Sequence, residues 1–214
     1  MKQFTRKLLH LGCAAALPLV TENAAAWSSK TYPLFEPVHQ MAIENVLKSQ
    51  ISAANLEILK QQQTVVDQDQ QAAQSYEHAM TGIERQGETV AQEKPVYEEL
   101  TEDFIFKNLT AAIQARKNGA QAAAFTALGK ALHPLQDATS PAHELFQTWS
   151  YDESFWDQAL HIAKERTYPD NAFKARLEAV VQYGYDIFTG KTALPNKFFD
   201  ADGILLLPAN YSKP

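Results

Sequence analysis

Two residue pairs stand four positions apart on segments that read as helix: His133 with Asp137, and His161 with Glu165. Four positions turn a helix by about 400°, so each pair shares a face to within about 40°. An imidazole nitrogen beside a carboxylate oxygen suits a borderline-soft divalent cation, zinc above all. His143 follows Asp137 after a Ser140-Pro141 break that can turn the chain back toward the same place. His39, Asp67 and His78 offer further donors upstream. Taken singly these are ordinary residues. Most histidines near apolar neighbours are hydrogen-bonded core groups, and a His/Glu pair at this spacing is usually a surface contact. The set is what argues for a metal, since His39, His78, His133, His143 and His161 all lie in such contexts.

The elements that must carry these residues read as helices, with little strand signal. Val38 to Leu59 has apolar residues at mostly helical spacing. Gln70 to Met80 is a weaker helix, and Thr81 to Pro95 reads as a loop. Tyr97 to Lys117 presents Leu100, Phe104, Leu109 and Ile113 on one side and stops at Asn118-Gly119. Ala120 to Leu132 is alanine-rich and predicted to be a buried helix, with Pro134 a source of a kink beyond it. Asp152 to Arg166 and Ala172 to Phe188 complete the set, before an irregular tail from Gly190. No repeat or long linker divides the chain. A single multi-helix, all-α domain is the economical expectation.

With 214 residues, 45% of them hydrophobic, the chain can bury a core and is not of disordered composition. A formal charge of −6 argues against a protein that coats nucleic acid. Lys2, Arg6 and Lys7 precede an apolar run from Leu8 to Val20 and three small residues, Ala24 to Ala26. That pattern predicts a secretory signal over residues 1–26 and a mature domain over 27–214 beginning at Trp27, hence a secreted or periplasmic protein. A lipoprotein site at Gly12-Cys13 is the competing reading. The apolar run is too short for a confident membrane span. Cleavage after Ala26 would remove three cations, one carboxylate and the single cysteine, taking the charge to −8 and leaving no disulfide to hold the fold.

The spacing H-x3-D-x5-H, with Pro141 two residues before His143, followed by H-x3-E at His161 and Glu165, resembles the zinc-dependent phospholipase C and S1/P1 nuclease superfamily. The resemblance runs from Trp27 to Glu165 and implies a secreted helical fold around a cleft holding three zinc ions. It implies one zinc on Asp67, His78, His133 and Asp137, with Asp69 as a substitute for Asp67. A second would sit on His143, His161 and Glu165. A third would take the terminal amine and carbonyl oxygen of Trp27, with His39 and Asp137 as a bridge. The N-terminal amine has a reference pKa of about 7.7–8.0, so zinc can displace its proton near neutrality. Three dications against three carboxylates leave a positive cavity that attracts a phosphate ester. The implied chemistry is phosphodiester hydrolysis by zinc-bound hydroxide, with Asp67 also orienting or deprotonating the water.

The H-x3-E pair and the Trp27-Ser28 start favour the phospholipase C branch. The alternatives are an S1/P1-type single-strand nuclease, another phosphoesterase, or an exported protein that uses zinc only as a staple. Lys30, Gln68 and, approximately, Ser75 stand where choline-preferring relatives place a carboxylate and aromatics, so a choline cage of that design is missing. The expected substrate is a phospholipid or other phosphodiester, with transient membrane-surface contact, no duplex nucleic acid, and a monomeric protein. Trp149, Tyr151, Phe155 and Trp156 are either interfacial aromatics or core packing.

Overall fold

The computed structural model describes residues 37–69, 71–150 and 171–211. The signal segment, Trp27, Lys30, and the stretch holding Tyr151, Phe155, Trp156, His161 and Glu165 lie outside the described residues. The described chain is mainly helical: α1 (Val38–Leu47), α2 (Ala53–Val66), a short 3-10 helix (Ala72–His78), α3 (Val90–Lys117), α4 (Gln121–Asp137) and α5 (Asn171–Thr189). Two three-residue strands, β1 (Thr81–Ile83) and β2 (Thr148–Ser150), pair in parallel. The architecture is all-α, as the periodicity predicts, with that small sheet as an addition.

The apolar stretch from Val38 does not form one helix to Leu59. It breaks at residues 48–52, and Ser52 restarts it as an N-cap whose hydroxyl accepts from the Asn55 amide at 3.3 Å. The supposed loop from Thr81 to Pro95 holds β1 and the first turns of α3. Pro95 is accommodated because it forfeits only a bond to the exposed Ala91 carbonyl. The buried face of α3 is Tyr97, Thr101, Ile105, Leu109 and Ala112 rather than the stripe through Leu100, which is exposed.

α3 and α4 form the most extensive helix pair. Their turn is a glycine-terminated cap: Gly119 takes φ 75°, its amide donates to Arg116 O, and the Ala120 amide donates to Ala115 O. α4 is packed by α2, α3, α5 and the 3-10 helix, so every residue from Ala131 to Asp137 is buried. A helix buried all round is normally apolar. Here His133, Gln136 and Asp137 interrupt the apolar set at zero exposure, which requires partners for each. α2 lies close against α4 at Gly129, where a Cβ would sit 2.6 Å from the Gln62 Cβ.

The tail after α5 is tied back to α3. The amides of Phe198 and Phe199 both donate to Glu102 Oε1 at 2.9 Å, and both rings lie in the core. Glu102→Ala is expected to cost about 2–3 kcal/mol by removing two charge-assisted bonds. At about 2–4 °C per kcal/mol this lowers the melting temperature by roughly 5–10 °C. Metal content should be unchanged, since the tail is not part of the histidine cluster. A melting curve equal to wild type would show that the tail is held by its rings alone.

Candidate metal centre

Four elements deliver side chains to one buried point. α1 brings His39, the C-cap of α2 brings Asp67, the end of the 3-10 helix brings His78, and the last two turns of α4 bring His133 and Asp137. All five are at most 3% exposed. Asp137 Oδ2 lies 3.1 Å from His78 Nδ1 and 3.2 Å from His133 Nε2. His133 Nε2 is 3.1 Å from His78 Nδ1 and 3.3 Å from Asp67 Oδ1. The other oxygen of Asp137 meets His39 Nε2 at 3.0 Å.

Two donors held about 2.05 Å from one ion at the tetrahedral angle are about 3.3 Å apart, so these separations, which are also hydrogen-bond lengths, are compatible with a tetrahedral site. Tautomers assigned from the hydrogen-bond network point the same way. His78 Nε2–H donates to the Asp69 carbonyl at 3.0 Å, which in the neutral ring leaves Nδ1 as a lone pair aimed inward. His133 Nδ1 faces the Gln63 side-chain oxygen at 3.2 Å, which leaves Nε2 for the cluster. Two convergent groups, His39/His133/Asp137 and Asp67/His78/His133, could each hold a metal ion. They share His133, and Asp137 joins them by presenting one oxygen to His39 and the other to His78 and His133.

Asp67 rather than Asp69 supplies the carboxylate. Asp69 contributes its backbone carbonyl to His78, while its side chain faces Gln71. His143 is buried, and its Nδ1–H donates to the His78 carbonyl, but it belongs to neither convergent group among the described residues. Its position is set by the strand pair. β1 starts three residues after His78 and β2 five residues after His143, in register Thr81↔Thr148. The Thr81 hydroxyl adds a 2.9 Å bond to the Phe146 carbonyl. Ala79, Leu145 and Phe146 adopt left-handed backbone at the two turns leading into those strands. Trp27, His161 and Glu165 lie outside the described residues. Trp149 is buried on β2 against Met80, so it packs the fold rather than facing outward.

The electrostatics are those of mutually compensating groups. Burial works against charge on His133, but the Asp137 and Asp67 carboxylates outweigh it and push the imidazole up to about 10. Burial would raise Asp137, yet His133, His39 and His143 hold it well below the usual carboxylate range. Asp67 is likewise lowered, against burial, by His133, then His39 and His78. In the metal-free chain a proton on His133 Nε2 thus lies where the carboxylates and His78 converge, the place a cation would take.

Sequence reasoning did not single out Gln63. Its signal was present: it precedes Asp67 by four residues on α2, so the two share a face just as His133 and Asp137 do. Among the described residues, no helix is long and apolar enough to cross a membrane. No protein-family model, curated protein or solved structure matches the chain.

Proposed function

We propose that the chain is an exported, monomeric, zinc-dependent phosphodiesterase of the phospholipase C type. The observation that carries this reading is the double use of Asp137, whose two oxygens face two ligand groups. A staple needs one closed set of four ligands, whereas a carboxylate that presents its two oxygens to different histidines suits a bridge in a multi-metal clamp on a phosphoryl group. Zinc bound there would supply Lewis acidity toward water and toward the phosphoryl oxygens.

The chain's own residues would do the rest. Asp67, His78, His133 and Asp137 would hold one ion. His39 and Asp137 would hold another with the mature N-terminus at Trp27, and His143, His161 and Glu165 a third. Asp67 would also orient the attacking water and accept its proton. Pro141 and the Ser140 turn, where the Ala142 amide donates to Ser140 Oγ at 3.1 Å, would fix His143. The substrate would be a phospholipid or related phosphodiester, met transiently at a membrane surface. Duplex nucleic acid would be repelled by the chain's net negative charge.

The test is an assay of the mature form beginning at Trp27, with zinc and with chelator, on diacyl phospholipid vesicles and on single-stranded DNA. Zinc-dependent release of diacylglycerol is the expected result. Release of nucleotides instead would move the chain to the single-strand nuclease branch. Full metal loading with neither activity would make the centre a staple and overturn the proposal.

A further inference from the structure

We propose that Gln63 is a positioning residue for the metal centre, fixing which nitrogen of His133 faces the cluster. Gln63 is fully buried on α2, one turn before Asp67. Its amide orientation follows from its surroundings: Nε2 donates to two carbonyls, Leu59 O at 3.2 Å and Gly129 O at 3.0 Å. A flipped amide would set oxygen against both carbonyls, so Oε1 must face the other way. There it accepts from Gln136 Nε2 at 3.1 Å and stands 3.2 Å from His133 Nδ1. An oxygen held in that direction can only accept, so His133 Nδ1 carries a hydrogen. In the neutral ring, Nε2 is then the lone pair turned toward Asp67, Asp137 and His78.

The amide thus fixes Nε2 as the nitrogen that gives up its proton to a cation, and holds the ring plane while the ion stays. Its reach depends on the close approach of α2 and α4 at Gly129, the residue whose carbonyl anchors Nε2. Removing the side chain orphans neither carbonyl. Leu59 O and Gly129 O are helix-interior carbonyls with backbone partners four residues on, at Gln63 and His133. The groups that lose are His133 Nδ1–H and Gln136 Nε2, both buried and then without that acceptor.

This inference rests on the metal-centre reading and not on the identity of the substrate. The probe is zinc alone, titrated into metal-free mature protein against a chromophoric competitor. Gln63→Met keeps the side-chain shape and removes the oxygen acceptor. Gln63→Glu, as the neutral acid, keeps an acceptor for His133 and a hydroxyl donor for the two carbonyls. Loss of a partner that orients a ligating histidine typically weakens metal binding about 10–100-fold. The expected result is that loss in Gln63→Met, with Gln63→Glu binding at least about tenfold more tightly than Gln63→Met. Nitrogen-15 spectra of the zinc-loaded wild type should show His133 protonated at Nδ1 and bound through Nε2. Wild-type affinity in Gln63→Met, equal weakness in both variants, or coordination through Nδ1 would overturn the role of Gln63. Wild-type protein that takes up no zinc would overturn the metal-centre reading itself. Melting of the metal-free variants separates a general folding defect, which lowers stability without changing the affinity of the folded fraction.

Discussion

If the chain is the zinc phosphodiesterase proposed above, Asp137→Asn is expected to strip its metal and lower the hydrolytic rate by at least about 100-fold. Groups that merely orient a ligand cost about 10–100-fold when removed, and a ligating carboxylate should cost no less. Asp137 is the residue with the most to lose, because both of its oxygens are engaged, one with His39 and one with His78 and His133. Asparagine keeps the shape but replaces one oxygen by a donor, which meets an imidazole where a lone pair should converge. It also removes the negative charge that offsets a buried cation. Metal analysis and initial rates on the substrate of the wild type are the measurements. A variant with full zinc and the wild-type rate would remove Asp137 from the centre, and with it the link between the two ligand groups.

Metal removal is expected to produce the largest change in stability. A ligand present at about 1,000 times its dissociation constant stabilises the native state by about 4 kcal/mol. For a chain of this size that is roughly 8–16 °C in melting temperature. The effect should depend on pH with a definite sign. In the metal-free chain His133 is pushed up to about 10 from 6.5, so its protonated form stabilises that chain fully below 6.5. The contribution is lost as the pH rises through about 10. The cation needs the neutral ring, so a proton leaves as the metal enters. The difference between loaded and metal-free melting temperatures should be small near pH 6 and widen toward pH 9. Superimposable curves across that range would mean that the cluster is an ordinary buried ion-pair network.

Much of the centre was legible because helical spacing converts directly into geometry. The i, i+4 relation of His133 and Asp137 survives intact in α4, even across Pro134. The convergence of His39, Asp67 and His78 was not a matter of local spacing, and rested on resemblance until the fold placed them. What spacing could not reveal is which atom of a residue is used. Asp69 reads like Asp67 in sequence, but the turn after α2 aims one side chain inward and leaves the other contributing only a carbonyl. Gln63 was passed over because an amide is not a metal ligand, and its part is played through His133. The break after Leu47 was hidden because apolar residues continue through it at helical period, and only the capping geometry at Ser52 exposes it. The strands were too short for any alternation to register, since three residues carry a single period.

The strand pair also bears on how the fold can assemble, because it joins segments far apart in the chain. The α3–α4 hairpin is local, whereas His78 and His143 meet only when segments 65 residues apart in the chain close together. Loop closure over such a span is the slower event. A chain that folds in that order would display the two donors of α4 while the pocket is still open to solvent. An ion caught then would be held by few donors and would exchange freely. On the proposed metal reading, selection among competing cations would fall to the later closure that brings His39, Asp67 and His78 against α4, so the chain would choose its cation as a nearly finished scaffold.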